Sequence, residues 1–139
     1  MIDQKFIDFI EEHHVLTLST SKDNQAYNAN CFYVYLPESK MFVFTSDKDT
    51  RHGKEMILNP KVAANIVLET KSVGKIQGLQ IMGRVEELQN EDLKLGKKAY
   101  LKKYPYAVLK LETMWGLKVN FLKLTDNRLG FGKKLIWEE

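Results

Sequence analysis

Met41-Phe42-Val43-Phe44-Thr45-Ser46-Asp47-Lys48-Asp49-Thr50-Arg51-His52-Gly53-Lys54 reads as a buried strand that breaks into a polar loop of hydroxyls and cations just as a helix begins. Backbone N–H groups at the start of a helix and positive side chains can converge there on a phosphate, which makes the loop a candidate anion site. A guanidinium from Arg51 and hydroxyls from Thr45 and Thr50 would together neutralise a dianion in a partly desolvated cleft. The bland alternative is that Thr50 only caps the helix and Arg51 is solvated. Asn59-Pro60 stops the helix Arg51 to Leu58, because a residue before proline is pushed out of the α region.

Upstream of this stretch the chain builds the sheet that carries it. Asp3 to His13 places Phe6, Ile7 and Ile10 on one side of an amphipathic helix, with Asp3 as N-cap. Val15 to Thr20 is a first strand, Ser21 to Gln25 the turn, and Ala26 to Leu36 an aromatic-rich second strand. Pro37 to Lys40 turns it into the third strand, Met41 to Ser46, so the first three strands form a meander.

Downstream, Lys61 to Leu68 is a fourth strand and Ile76 to Leu88 a long fifth. In the fifth, Leu79, Ile81 and Val85 share one face while Gln80, Met82, Arg84 and Glu86 share the other, and Gly78 and Gly83 permit sharp bending or close backbone approach. A helix capped by Asn90 runs to Lys103 and is closed by Pro105, and Tyr106 to Leu111 reads as a further helical turn. Trp115 to Leu124 alternates again as a sixth strand, followed by a glycine-rich bend and a short apolar tail. Six strands with mostly short reversals argue a mainly β fold, an antiparallel Greek-key barrel with peripheral helices. A parallel sheet would need crossover helices that the first three strands lack.

At 139 residues, 44% hydrophobic and 28% charged, the chain has the proportions of one domain spanning residues 1–139. Its longest apolar runs fall far short of the roughly 18 residues of a membrane span. An early acid and no apolar h-region at the N-terminus lead to the expectation of a cytoplasmic protein with no membrane partner. The single cysteine, Cys31, excludes an internal disulfide and a multi-cysteine metal cage. An excess of 21 Lys+Arg over 18 Asp+Glu fits a small anionic ligand and is far from the basic footprint of a duplex binder, so no nucleic-acid partner is expected.

In this order the motifs resemble the pyridoxamine 5′-phosphate oxidase-like, FMN-binding split-barrel family, and within it a small bacterial subgroup of about this length. The resemblance rests on Val15 to Thr20, Asn28 to Tyr33, Phe42 to Ser46 with Thr50-Arg51-His52, Asn59 to Ala63 and Gly78 to Gly83, with Thr125 to Lys134 the more specific part for the subgroup. It covers nearly the whole chain; each motif alone is weak and their order carries the weight. The resemblance implies a homodimer holding FMN in clefts between subunits. Phe44-Thr45, followed by Ser46, falls on the family's aromatic-threonine pair, and Thr50-Arg51-His52 on its phosphate-binding triplet, with His52 in place of a lysine. The family's strand glutamine falls on Gln80.

Two departures bear on the substrate: Asn28 to Val34 carries no cation, and the C-terminal segment lacks the family's arginine-histidine pair, so oxidation of pyridoxine phosphate is not expected. Flavin chemistry belongs to the ring, so the protein has to orient it and hydrogen-bond its edge, and no catalytic residue is assigned. Asn30 joins Gln80 as a ring-edge candidate, and Lys133 is a candidate near the flavin of the other subunit. The expected function is an FMN-dependent oxidoreductase acting on an unidentified small substrate. The alternatives are a split barrel that carries flavin or haem without turnover and, less favoured by the modest charge, a single-strand-binding module using Tyr27, Tyr33 and Tyr35. His13-His14 lacks a third ligand of matched spacing for a metal. Gly130-Phe131-Gly132-Lys133-Lys134 follows a strand without opening a helix, which argues against a nucleotide loop.

Overall fold

Alternation along the strands sends one set of side chains into a common core and leaves the other set for solvent or a covering element. The computed structural model describes residues 1–139. Its elements are α1 (Gln4–Glu12), β1 (Val15–Lys22), β2 (Gln25–Phe32), β3 (Val34–Leu36), β4 (Met41–Thr45), α2 (Arg51–Leu58), β5 (Lys61–Val67), β6 (Gln77–Glu87), α3 (Asn90–Lys103), β7 (Met114–Asp126) and β8 (Lys134–Glu138). The strands form one sheet in the order β2-β1-β5-β6-β7-β4-β3, with β8 added along β7. Every pairing is antiparallel. β1 beside β5 and β4 beside β7 are the long-range neighbours of a Greek-key arrangement, and the sheet curls into a half-barrel.

The inner face carries Leu16, Leu18, Phe42, Phe44, Ile66, Leu79, Ile81 and Leu117, all buried. α1 starts where the Asp3 side chain accepts the Lys5 N–H at 2.9 Å, and it lays Phe6, Phe9 and Ile10 on this core. Burying each of those three side chains contributes about 1.5–3 kcal/mol. Outside the sheet, α3 covers only β3, β4 and the first part of β7, where Tyr100 packs with Met41, Val43, Leu88 and Met114, and Val34 and Leu36 of β3 join them. The rest of the outer face, across β2, β1, β5, β6 and β8, has no helix over it.

The sheet has eight strands, two more than expected. The expected strand Ala26 to Leu36 breaks at Tyr33, because the chain changes partner there: β2 pairs with β1 and β3 with β4. Tyr33 is fully buried at the break, its N–H donates to His14 O at 3.0 Å, and its hydroxyl donates to Ile10 O at 2.6 Å. The second addition, β8, returns along β7 after Gly130 and Gly132, which take φ of 138° and 72°. The residue preceding α3 is Gln89, not Asn90.

Candidate functional site

The corner between β4 and α2 is built from the loop outward. The Thr50 hydroxyl donates to Asp47 O at 2.8 Å and accepts the Gly53 N–H at 3.0 Å, so it both closes the loop and caps the helix. A side chain at Gly53 would run into Asp47 O and come within 2.9 Å of Thr50 Oγ1, which explains a glycine inside so short a helix. Arg51 donates from Nε to Glu55 Oε2 at 3.1 Å, one helical turn on, and its guanidinium lies 4.2 Å from the centre of the Tyr27 ring. Glu55 is only 4% exposed and also accepts the Thr20 hydroxyl at 2.8 Å. The Thr20 hydrogen bond, then the Arg51 hydrogen bond, hold its carboxyl below the usual carboxylate range, so it stays ionised. This leaves a cation anchored at one edge, with its terminal Nη groups free of protein partners and its side chain 53% exposed.

Ser46 and His52 form a second contact at the same corner, Ser46 Oγ to His52 Nε2. The Ser46 backbone is locked by Trp115, whose Nε1–H donates to Ser46 O at 2.9 Å, and by Thr113 O, which accepts the Ser46 N–H at 2.9 Å. Burial lowers the His52 pKa, against the opposing pull of Glu112 and then Glu55, so the ring is neutral near pH 7. Thr45 does not join this group. Its hydroxyl lies 3.5 Å from Tyr100 Oη on α3, away from Arg51, which is engaged by Glu55 and Tyr27.

The remaining expected residues stand elsewhere. Asn30 and Gln80 lie in one row across the open outer face, in the register Asn30–Thr17–Asn65–Gln80–Lys123. The Thr17 hydroxyl donates to Asn30 Oδ1 at 2.9 Å. Tyr27 and Thr20 oppose each other on the other face, so Arg51 and the Asn30–Gln80 row flank opposite sides of the sheet. Lys133 is exposed in the β7–β8 turn. Thus one chain brings Ser46, Thr50, Arg51 and His52 together, aligns Asn30 with Gln80, and leaves Thr45 and Lys133 apart. Sequence reading missed Tyr27, Thr20 and Glu55 as the frame for Arg51. The Arg51–Glu55 spacing of one helical turn was a visible signal; the Thr20 contact, 35 residues away in sequence, was not.

A model of the pyridoxamine 5′-phosphate oxidase family matches residues 2–124. A UPF0306 protein of Photorhabdus laumondii is 37% identical over 130 residues, covering 94% of this chain and 91% of its own. The chain belongs to this family. A UPF0306 protein of Yersinia enterocolitica is 36% identical, covering 93% of this chain and 88% of its own. Among solved structures, a heme binding protein from Mycobacterium smegmatis superposes with a TM-score of 0.79 at 17% identity, covering 92% of this chain and 54% of that one. An FAD-binding protein from Mesorhizobium loti superposes with a TM-score of 0.72 at 15% identity, covering 89% of this chain and 94% of that one. At these identities the two structures establish the split-barrel fold and nothing further.

Proposed function

We propose that this family member binds FMN between two copies of the chain and works as a flavin-dependent oxidoreductase on a small substrate other than pyridoxine phosphate. The observation that carries the reading is the Arg51 guanidinium, held by Glu55 and Tyr27 with its terminal N–H groups directed to no protein partner, at the N-terminus of α2. A guanidinium so anchored suits a bidentate contact with a phosphate, and the first N–H groups of the helix supply further donors. The Thr50 hydroxyl and the Ser46–His52 pair border the same corner, while Asn30 and Gln80 on the open face of the other copy offer amides for the ring edge. Bound FMN would supply the hydride or electron transfer; the chain's own part is to grip the phosphate, orient the ring and exclude water.

Titration with FMN, followed by flavin fluorescence, tests this directly. Arg51→Ala is expected to weaken FMN by about 1.5–3 kcal/mol through loss of a charge-assisted contact. Unchanged affinity would remove the phosphate assignment, and a Soret band in place of flavin absorption in the purified protein would move the cofactor to haem.

A further inference from the structure

A second cationic feature lies on the open face, away from the Arg51 corner. Lys61 on β5 stands directly opposite Arg84 on β6, and Arg84 directly opposite Lys118 on β7. All three are exposed. Directly opposed side chains in an antiparallel ladder have Cβ atoms about 4.5–5.5 Å apart, where like charges repel. Lys118 is compensated by Glu86 at 3.2 Å, but neither Lys61 nor Arg84 has a carboxylate partner. Glu86 and Glu139 line an adjoining cleft together with Arg84 and Lys118, but neither forms an ion pair with Arg84.

The floor beside these cations is shaped to admit a ligand. Lys61 and Arg84 rim a groove of about 480 Å³ with Ser19, Ser21, Ala63 and Asn120 along it. Ser21 accepts the Asn59 side-chain amide at 3.1 Å, which leaves its hydroxyl proton free to donate. The β6–β7 ladder breaks within the groove: Met82 pairs with Phe121 and Gly83 with Val119, so Asn120 is the extra, unpaired residue of a bulge. Bulges redirect side chains and gather near binding sites. Uncompensated opposed cations, a hydroxyl donor and a bulged amide around one groove are the chemistry of an anion receptor.

We propose that the Lys61–Arg84 pair, on the rim of this groove, is an anion site for a compact polyanion of the phosphate-ester or pyrophosphate class. It is separate from the flavin corner and does not depend on that reading. Arg84 lies four residues along β6 from Gln80, about 13 Å at the usual strand rise. A ligand there relieves the repulsion that the apo sheet carries.

Thermal unfolding of the full chain in sodium pyrophosphate, against sodium chloride at matched ionic strength and pH, gives the test. The wild type is expected to melt higher in pyrophosphate than in chloride, since an anion bound only by the native state stabilises it. The double variant Lys61→Gln/Arg84→Gln should lose that difference, bind pyrophosphate at least tenfold more weakly by calorimetry, and melt in chloride no lower than the wild type. Arg51→Ala should keep the difference, and the double variant should keep the wild-type affinity for FMN. A wild type that responds equally to both salts, a double variant that still responds to pyrophosphate, or a response lost only in Arg51→Ala would overturn the site. Joint loss of FMN and pyrophosphate binding in the double variant would overturn its separateness.

Discussion

Glu55 keeps its charge while almost fully buried because Thr20 and Arg51 satisfy it, and that arrangement determines what Arg51 can do. The carboxylate takes one edge of the guanidinium and Tyr27 takes its face, so little side-chain freedom remains to be lost when an anion binds. His52 works differently. Its burial resists protonation, so its native pKa lies below the ordinary value of 6.5. Between those two values the unfolded chain binds a proton that the native chain does not, and stability therefore falls as pH falls through that window. Urea unfolding is expected to show the wild type losing stability between pH 7 and about pH 5 more steeply than His52→Gln, whose glutamine cannot titrate. Parallel slopes would mean that the ring titrates as it does in the unfolded chain. Cys31 is held inert by its surroundings: burial and then Glu112 push its thiol up to about 11, which keeps it protonated and poorly nucleophilic at neutral pH.

At the scale of elements, β6 and β7 form the longest pairing in the sheet, and Gly83 sits at the register shift within it. A Cβ at Gly83 would collide with Lys118 O and come within 2.9 Å of Leu117 Cδ1, and a backbone carbonyl in a ladder cannot swing aside as a side chain can. Gly83→Ala is therefore expected to cost about 1–3 kcal/mol, read as a lower urea midpoint, whereas an unchanged midpoint would show that the bulge absorbs the methyl group. Elements of this kind were largely legible in sequence. Ile76 to Leu88 was read as a strand with Gln80, Met82, Arg84 and Glu86 on one face, and the structure exposes those four residues on β6. The helix after Thr50 was legible from its cap and its terminal Asn59-Pro60. The break at Tyr33 was not, since the residues on both sides of it are β-prone and only the change of pairing partner divides them. β8 was hidden for a related reason: five residues of alternating character become a strand only where β7 offers an edge.

For the whole molecule, the decisive feature is a curled sheet with α1 against its inner face and α3 covering only part of its outer face. Phe32, Val67, Met82 and Ile136 are about half exposed or more on the uncovered strands, an uncommon amount of apolar side chain for a sheet face meeting only water. Arg51 lies behind one face and the Asn30–Gln80 row on the other, so a flavin touching both sets requires a second copy. Light scattering with FMN is expected to give the mass of two chains; a single-chain mass in the presence of flavin would remove the shared cleft. Sequence alone determined that the protein is mainly β, that β4 feeds a capped helix carrying Arg51, and which residues of β6 point to the core, because periodicity, capping and proline effects act over a few neighbouring residues; in β7 the bulge at Asn120 shifts the alternation, so that Leu122 and Leu124, and not Phe121, continue the buried face of Trp115, Leu117 and Val119. Tertiary structure alone decided that Thr45 turns to Tyr100, that Arg51 is framed by Tyr27 and Glu55, and that Lys61, Arg84 and Lys118 line up across three strands. Those outcomes depend on register between segments far apart in the chain, and register follows from how the whole core packs.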